Sequence, residues 1–436
     1  MIPPRQKIVF FGGMANAMYA MAQALAGGRH QVTYIRDPFD LYPLSQPVWH
    51  DCKHVFSQSE FQAMCKWTPE DWSQFEESIN WPKPAWFQEP KARAGRRSLL
   101  NLLPWRVSGS SLDDQIVALM DENDIVVVCG TSGERLALRT KARFVIWPHG
   151  GDARIAAEAK RSPPQSRNAL ATTLLKAFSE AAALSSHDPT MVGGTFENNL
   201  SLLEGRKLNF LPMPYVPIPR PDRAGRVAQR AVILKELGLS MDPTDFLCLV
   251  PSRLDLKWKG QDRLLKAVRN VPQMKLLFMG WGADHESSKV SDFPASQVLF
   301  PGFMFAKQKL RELMQVADAI ADQFTFGTYG AVAIEAMAAG APLIMWLDAD
   351  AFVRQGWEVP PIYNSRSLED ISKALARVVA CEGDDPDYSR SLSLWYTEHH
   401  TVEAFRASID RILNDVLQKP SSPLRGEAGL ASVDSK

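Results

Sequence analysis

Two basic residues in the second half of the chain have the types and the spacing that suit a diphosphate. Arg253 directly follows the apolar run 246–250, and Lys259 comes later in the same segment, near the start of a helical pattern. Arginine binds phosphate oxygens through two parallel hydrogen bonds, and lysine adds a compact positive charge. We therefore predict a diphosphate site at the end of this strand. The alternative is a solvated basic loop, because most lysine and arginine side chains are exposed.

A glycine-containing segment farther along the chain joins a helix start to a carboxylate. Gly327 and Gly330 precede a helical pattern in which Glu335 stands among Ala, Ile, Met and Val residues. A carboxylate in apolar surroundings needs a partner, and a nucleotide ribose offers two adjacent hydroxyl groups. The segment therefore predicts a ribose contact at Glu335. The alternative is a helix whose Glu335 faces solvent, which its apolar neighbours disfavour.

Two segments in the first half of the chain indicate a further site. Gly12 and Gly13 follow the apolar run 8–11 and precede a helical pattern, so backbone N–H groups at a helix start are open to an anion or a sugar. The full G-x-G-x-x-G fingerprint is absent, and a tight turn is the alternative.

His149 follows the apolar run 144–146, which places it at the carboxyl end of a predicted strand. A lone histidine in a loop is more often structural than functional.

Buried parallel strands must position these residues. Short apolar runs alternate with helical patterns, beginning with a strand, a glycine turn, a helix and a second strand. This alternation is typical of β-α-β units in a parallel sheet that is covered by helices. It restarts after residue 230, so we predict two doubly wound, Rossmann-like α/β domains.

The predicted domain boundaries follow changes in composition. The N-terminal domain is expected at 1–216, with a Trp-rich and Pro-rich insertion at about 38–113. Prolines and arginines over 212–230 favour neither helix nor sheet, and they predict a linker at 217–230. The C-terminal domain is expected at 231–395. A closing helix at 396–417 is expected to return to the N-terminal domain, and the polar tail 418–436 is expected to be disordered.

Composition excludes several classes of protein. The 436 residues carry 49 Lys and Arg against 49 Asp and Glu, so the global basic excess of many nucleic-acid-binding proteins is missing. No apolar run reaches the ~18 residues of a membrane span. The five cysteines are scattered without a C-x-x-C pair, and the first residues show no signal-peptide pattern. We therefore expect a cytoplasmic protein that binds no nucleic acid.

In their order along the chain, these segments resemble the retaining GT-B glycosyltransferases of the family 4 type, the glycosyl transferases group 1. The Arg253/Lys259 block and the helix that carries Glu335 are the most specific parts of the resemblance. The segment 147–154, Trp-Pro-His-Gly-Gly-Asp-Ala-Arg, is similar to the family's His-Gly-x-Asp-x-Arg segment. The remaining parts are Gly12-Gly13, Gly280-Trp281-Gly282 and Phe300-Pro301-Gly302. The resemblance implies two Rossmann-like domains facing each other across a cleft.

The resemblance also implies roles for individual residues. Arg253 and Lys259 would bind the donor diphosphate and offset the charge of the leaving group, Glu335 would bind the ribose, and His149 would contact the donor sugar near the reacting carbon. Backbone amides of Thr328, Tyr329 and Gly330 would contact the phosphate or the sugar. At Gly327 the family has a glutamate, and the replacements to consider are Asp322, Gln323 and the Gly327 amide.

We therefore predict an enzyme that moves a sugar from a nucleotide-sugar donor to a hydroxyl of a carbohydrate or glycolipid acceptor, with retention of configuration. The expected setting is cell-surface polysaccharide or glycolipid biosynthesis. No Asp-rich motif stands beside the phosphate residues, so we expect no metal and no further cofactor. The alternatives are a nucleotide-sugar epimerase of the same fold and a catalytically silent binding module, which Gly327 favours.

A last segment, 91–106, suggests a peripheral contact with the inner face of the membrane. Four cations, Lys91, Arg93, Arg96 and Arg97, precede a leucine-rich stretch that ends with Trp105 and Arg106. A basic cluster beside apolar side chains can dock on an anionic membrane surface. The alternative is a helix that packs against its own domain.

Overall fold

Short apolar runs form the buried strands of two parallel sheets. The computed structural model describes residues 5–90, 111–191, 199, 201–203, 205–282, 284, 296–300 and 302–418. The strands in these residues are β1 (Lys7–Phe11), β2 (Gln31–Ile35), β3 (Val55–Ser57), β4 (Phe87–Gln88), β5 (Ile125–Val128), β6 (Arg143–Ile146), β7 (Ala183–Ser186), β8 (Leu208–Phe210), β9 (Phe246–Val250), β10 (Met274–Phe278), β11 (Val298–Leu299), β12 (Phe303–Phe305), β13 (Ala319–Ala321), β14 (Leu343–Met345) and β15 (Tyr363–Asn364).

Helices connect and cover these strands. They are α1 (Ala17–Leu25), α2 (Pro47–Asp51), α3 (Gln58–Met64), α4 (Pro69–Ser78), α5 (Ser111–Asp121), α6 (Gly130–Ala137), α7 (Gly151–Arg161), α8 (Ala169–Glu180), α9 (Arg223–Glu236), α10 (Gln261–Ala267), α11 (Lys307–Val316), α12 (Ala331–Ala338), α13 (Ala349–Gln355), α14 (Leu368–Ala380), α15 (Pro386–His399) and α16 (Val402–Gln418).

The first sheet gathers strands of the N-terminal half. Over the described residues its order is β4-β2-β1-β5-β6-β7-β8, and each neighbouring pair is parallel. The four residues of β5 are all buried, as expected for a central strand with helices on both faces. The direction of winding reverses between β1 and β5, and ligands of such sheets bind beyond the carboxyl ends of the strands at this reversal.

The second sheet, in the C-terminal half, is also parallel and also reverses its direction of winding. Its described strands follow the order β11-β10-β9-β13-β14-β15, all parallel. The winding reverses between β9 and β13, so a second crevice opens beyond the ends of these two strands. The prediction of two doubly wound, Rossmann-like domains is confirmed.

The predicted linker at 217–230 is wrong for its second half, because α9 begins at Arg223. The prolines end at Pro221, and the Asp222 side chain accepts a hydrogen bond from the Gly225 amide as the helix N-cap. Arginines of the predicted linker are buried on this helix. Arg226 is fully buried and contacts Asp318 and Asp384, which fixes α9 to the second sheet.

A two-stranded antiparallel ladder joins the two domains. β3, from the insertion after β2, pairs with β12 of the C-terminal half. The Gln58 amide donates to the Gly302 carbonyl at 2.9 Å, and the Ala306 amide donates to the His54 carbonyl at 3.0 Å. The insertion is therefore part of the contact between the domains.

The C-terminal helix also crosses between the domains. Arg406 of α16 donates to the Ala24 carbonyl of α1 at 3.0 Å, and Asp410 pairs with Arg29 at 2.6 Å. No helix in the described ranges is both long enough and apolar enough to span a membrane. The segment 91–106 and residues 419–436 of the predicted tail lie outside the described residues.

Candidate active site

The predicted phosphate residues lie beyond the carboxyl end of β9, at the second winding reversal. Arg253 is 42% exposed, and its nearest acidic partner is Asp255, at 3.7 Å. Its buried Nε has no hydrogen-bond partner in the described part of the chain. Lys259 Nζ lies 3.1 Å from Asp322 Oδ1, just after β13. Two cations therefore stand at one crevice, and the guanidinium has donor capacity left for a ligand.

The loop that carries these cations packs closely on the loop after β13. A Cβ at Gly260 would lie 2.5 Å from Thr325 Oγ1, and Gly260 has a φ of +69°. The Phe324 amide donates to the Lys259 carbonyl at 2.7 Å. Glycine at this position therefore lets the cation loop and the segment 324–330 form one wall of the crevice.

Gly327 occupies a position where no larger residue fits. A Cβ there would lie 2.9 Å from both the Cβ and the backbone N of Asp348, and the φ of +65° is strained for other residues. The Asp348 amide donates to the Gly327 carbonyl at 2.9 Å. This contact gives a physical reason why the segment carries glycine in place of a glutamate.

The two side chains considered as replacements for that glutamate have structural partners. Asp322 pairs with Lys259, as described, and is 2% exposed. The side-chain amide of Gln323 donates to the Thr328 hydroxyl at 2.5 Å and also to the Thr328 carbonyl. Both residues brace the wall of the crevice. The Gly327 amide itself stays a prediction.

Tyr329 holds the domains together through its side chain and its backbone. Its amide donates to Asp188 Oδ2 at 3.1 Å, and its hydroxyl donates to the His187 carbonyl at 2.7 Å. The hydroxyl also lies 3.1 Å from His400 Nε2. The Tyr329 amide is thus already paired. Gly330, directly before α12, has open space where a Cβ would be, so the helix start remains accessible at that residue.

Glu335 has a partner inside the protein. It is 1% exposed, on α12, and forms an ion pair with Lys307 at the start of α11. The Tyr215 phenol lies next to it, and burial together with the Glu335 charge raises the pKa of Tyr215 well above its ordinary value. The partner that the apolar surroundings of this carboxylate require is therefore supplied within the chain, by Lys307. The ribose contact at Glu335 stays a prediction.

The N-terminal residues meet at the first winding reversal. A Cβ on Gly12, whose φ is +132°, would lie 2.5 Å from the Cys129 carbonyl at the end of β5. His149 is half-buried after β6, and its ring lies 4.0 Å from the Cβ position of Gly130. Gly12, Gly13 and His149 are therefore brought to the same edge of the sheet.

Asp40 is a polar residue of this edge that the sequence did not reveal. A Cβ on Gly13 would lie only 2.7 Å from Asp40 Oδ2, so the carboxylate rests against the glycine turn. Burial raises the pKa of Asp40, while Ser45, the Tyr42 amide and the charge of His149 lower it. No local sequence pattern marks Asp40 as a site residue. Its only signal is that it follows β2, at the start of an irregular insertion.

Residues of the insertion cover the C-terminal crevice. Trp281 lies in the turn after β10. The centre of its ring is 6.4 Å from the centre of the Tyr42 ring and 6.0 Å from the centre of the Phe61 ring. The Leu254 amide, next to Arg253, donates to the Trp281 carbonyl at 2.9 Å. Side chains from the N-terminal half thus stand beside the cation loop.

One group of described side chains has metal-ligating types. Ligand atoms of Glu358, Glu398 and His399 lie within 4.8 Å of one another. His399 Nε2 lies 3.8 Å from Glu358 Oε2, and both glutamates are exposed. We assign no ion to this group, because exposed acidic side chains near a histidine are common without one.

One known protein family matches the part of the chain that forms the second sheet. Residues 245–380, less than half of the chain, match the family model described as "Glycosyl transferases group 1". The resemblance to this family is thereby confirmed for the C-terminal domain. No curated protein sequence matches the chain.

Solved structures share the whole architecture. HepE of Anabaena in complex with UDP and glucose has a TM-score of 0.54 at 14% identity, over 94% of this chain and 100% of that one. Sucrose-phosphate synthase from Thermosynechococcus elongatus has a TM-score of 0.57 at 15% identity, over 95% and 99%. A glycosyltransferase from Rickettsia africae has a TM-score of 0.54 at 12% identity, over 95% and 100%. The fold is therefore the GT-B fold of two facing Rossmann-like domains.

Proposed function

We propose that the protein is a glycosyltransferase that moves a sugar from a nucleotide-sugar donor to an acceptor hydroxyl, with retention of configuration. The observation that carries this proposal is the pair Arg253 and Lys259 at the end of β9, inside a domain that matches the glycosyl transferases group 1. Two fixed cations at such a crevice suit a diphosphate. The proposed setting is cell-surface polysaccharide or glycolipid synthesis in the cytoplasm.

The donor diphosphate would take its contacts from three sources. Arg253 supplies the unpartnered Nε and a half-exposed guanidinium. Lys259, which forms an ion pair with Asp322, would also contact the phosphate. The start of α12 at Gly330 adds the positive end of a helix dipole, which stabilises a nearby anion. These groups offset the charge of the leaving diphosphate without a resident cofactor.

The chemical step exchanges one C–O bond for another. The bond between the anomeric carbon and the diphosphate oxygen breaks, and its electron pair stays on the phosphate. The acceptor hydroxyl then forms a new bond to the anomeric carbon on the same face, and its proton passes to the leaving phosphate. Arg253 and Lys259 stabilise the charge that develops on the leaving group, which lowers the barrier.

The N-terminal crevice would hold the sugars. His149 lies at its edge and would contact the donor sugar, and Asp40 lies against Gly13 nearby. A carboxylate accepts hydrogen bonds from hydroxyl groups. Asp40 therefore suits a polyhydroxylated acceptor.

Nucleotide binding and donor turnover test the proposal. We would measure the affinity for UDP, chosen because HepE of Anabaena binds it, and for other nucleoside diphosphates. The release of nucleoside diphosphate would then be followed with and without sugar acceptors. Acceptor-dependent release supports the transferase. Isomerisation of the donor without an acceptor indicates an epimerase, and binding without turnover indicates a silent module.

Two variants separate the donor roles. Arg253→Ala should weaken nucleoside diphosphate binding by about 1.5–3 kcal/mol, because a charge-assisted contact is lost. His149→Ala should lower turnover while leaving this affinity nearly unchanged, since a contact made mainly in the transition state appears in kcat. Lys257→Ala, in the same loop but exposed, is the control. Unchanged affinity in the Arg253 variant would remove the diphosphate assignment.

A further inference from the structure

Two buried carboxyl groups interact beside the turn that carries His149. Glu134, on α6, is 0% exposed and Asp152, in the first turn of α7, is 1% exposed. Asp152 Oδ1 accepts hydrogen bonds from the His149 amide at 3.2 Å, the Gly150 amide at 3.2 Å and the Ala153 amide at 2.7 Å. Asp152 is therefore the anchor of the turn that carries His149.

The buried Glu134 carboxyl is not stabilised as an anion by hydrogen bonds. Neither of its oxygens receives a hydrogen bond from another described residue. No described lysine, arginine or histidine forms an ion pair with Glu134 or Asp152. A carboxylate buried without donors or a counter-ion is strongly unfavourable, whereas a protonated carboxyl can donate its O–H to the neighbouring carboxylate.

Further acidic groups lie near the pair. Cys129, at the end of β5, lies within reach of the charges of Asp152, Glu134, Asp40 and Asp37. Burial first, and then the charge and hydrogen bond of Asp152, raise the pKa of Glu134 well above its ordinary value. Four acidic groups around one buried thiol cannot all be ionised at little cost.

We propose that Glu134 is a neutral carboxylic acid at physiological pH, that it donates a hydrogen bond to Asp152, and that it thereby acts as the positioning residue for His149. Three segments contribute to this arrangement: α6 with Glu134, α7 with Asp152, and the residues after β6 with the backbone amide of His149. Ionisation or removal of Glu134 leaves Asp152 without this donor, and the turn that aims the imidazole loses part of its support.

The protonation of Glu134 is measured by infrared spectroscopy of the full chain. At neutral pH, a difference spectrum between the wild-type protein and Glu134→Gln should show the loss of one component of the C=O stretch of un-ionised carboxylic acids, while the component from Asp188 stays. Glu122, just before β5, is exposed, so Glu122→Gln should leave the band unchanged. A difference spectrum in which Glu134→Gln removes only carboxylate bands would overturn the proposal.

The positioning role is measured at His149 itself. Glutamine keeps an N–H donor toward Asp152, whereas leucine has a similar volume and no donor. In protein labelled with ¹⁵N-histidine, the His149 signal should match the wild type in Glu134→Gln and shift in Glu134→Leu, with Glu122→Leu as control. An unshifted signal in a folded Glu134→Leu protein contradicts the role. If that variant does not fold, the Glu134→Gln infrared result still decides the protonation state.

The effect on catalysis rests on the proposed function. A misplacement of His149 by about 1 Å would lower transfer up to ~100-fold, so Glu134→Leu should lose turnover and keep its affinity for UDP, while Glu134→Gln restores turnover. A wild-type protein that binds no nucleoside diphosphate would contradict the glycosyltransferase. Normal turnover in folded Glu134→Leu would contradict only the role of Glu134.

Discussion

Asp188 is a single buried residue on which the contact between the domains depends. Its Oδ1 accepts from the Thr190 amide and hydroxyl at 2.8 and 2.7 Å, and its Oδ2 accepts from the Tyr329 amide across the domain boundary. Burial raises the pKa of Asp188 to about 7, against the opposing effect of these donors. The ionised carboxyl is therefore less favourable in the folded protein than in water.

This shift predicts a pH dependence of stability. Between about pH 4 and 7 the unfolded chain has lost the Asp188 proton and the folded chain retains it, so the free energy of unfolding falls as the pH rises. The contribution is at most about 4 kcal/mol, for a shift of about three pKa units. Urea unfolding across this range should give a flatter profile for Asp188→Asn. The exposed Asp350→Asn is the control, and an equal slope in wild type and Asp188→Asn would contradict the prediction.

At the scale of an element, α9 depends on a buried ionic network. Arg226 Nη1 lies 2.8 Å from Asp384 Oδ1, and its Nε lies 3.4 Å from Asp318 Oδ1, which is itself buried. Removing Arg226 takes these charge-assisted contacts away, although Asp318 keeps its ion pair with Arg230. We therefore expect Arg226→Ala to lower the free energy of unfolding by about 1.5–3 kcal/mol, measured by urea denaturation. Lys235→Ala, exposed on the same helix, should change it by less than about 1 kcal/mol.

At the scale of the whole molecule, the β3–β12 ladder holds the domains in their present arrangement. Gln58 is the first residue of α3, a position that accepts proline, and Ser57 before it has extended angles of −65° and 161°. Gln58→Pro therefore removes the hydrogen bond to Gly302 and keeps the helix. The loss of about 1 kcal/mol should raise amide exchange in β12 about fivefold. Gln58→Ala, which keeps the N–H, should exchange like the wild type; equal exchange in both variants would mean that the bond contributes nothing.

The segment 91–106 yields a prediction about the surroundings of the whole molecule. The four cations at its start should each add about 1 kcal/mol of attraction to an anionic surface, and the binding should weaken with salt. Co-sedimentation with anionic vesicles at low salt should exceed that with neutral vesicles. Replacing Lys91, Arg93, Arg96 and Arg97 by Gln should abolish the difference, and unchanged binding would show that the segment packs within the protein.

The strands, the fold class and the cation loop were predictable from the sequence, because their signals are local. An apolar run such as 125–128 is the observed β5, and Arg253 follows β9 as expected. Parallel strands bring their carboxyl ends to one edge, so Arg253, Lys259, Gly12 and His149 could be placed at two crevices without coordinates. The prolines of 212–221 were read correctly as irregular, but the same reading extended too far into α9.

The partners of the charged groups were decided only by the tertiary structure. Lys307 balances Glu335, Asp188 binds the Tyr329 amide, and Glu134 meets Asp152, although no local pattern connects the members of these pairs. The ladder between β3 and β12 likewise joins segments far apart in the chain. The physical reason is that periodicity depends on neighbours within a turn or a strand, whereas burial of a charge depends on which distant elements pack around it.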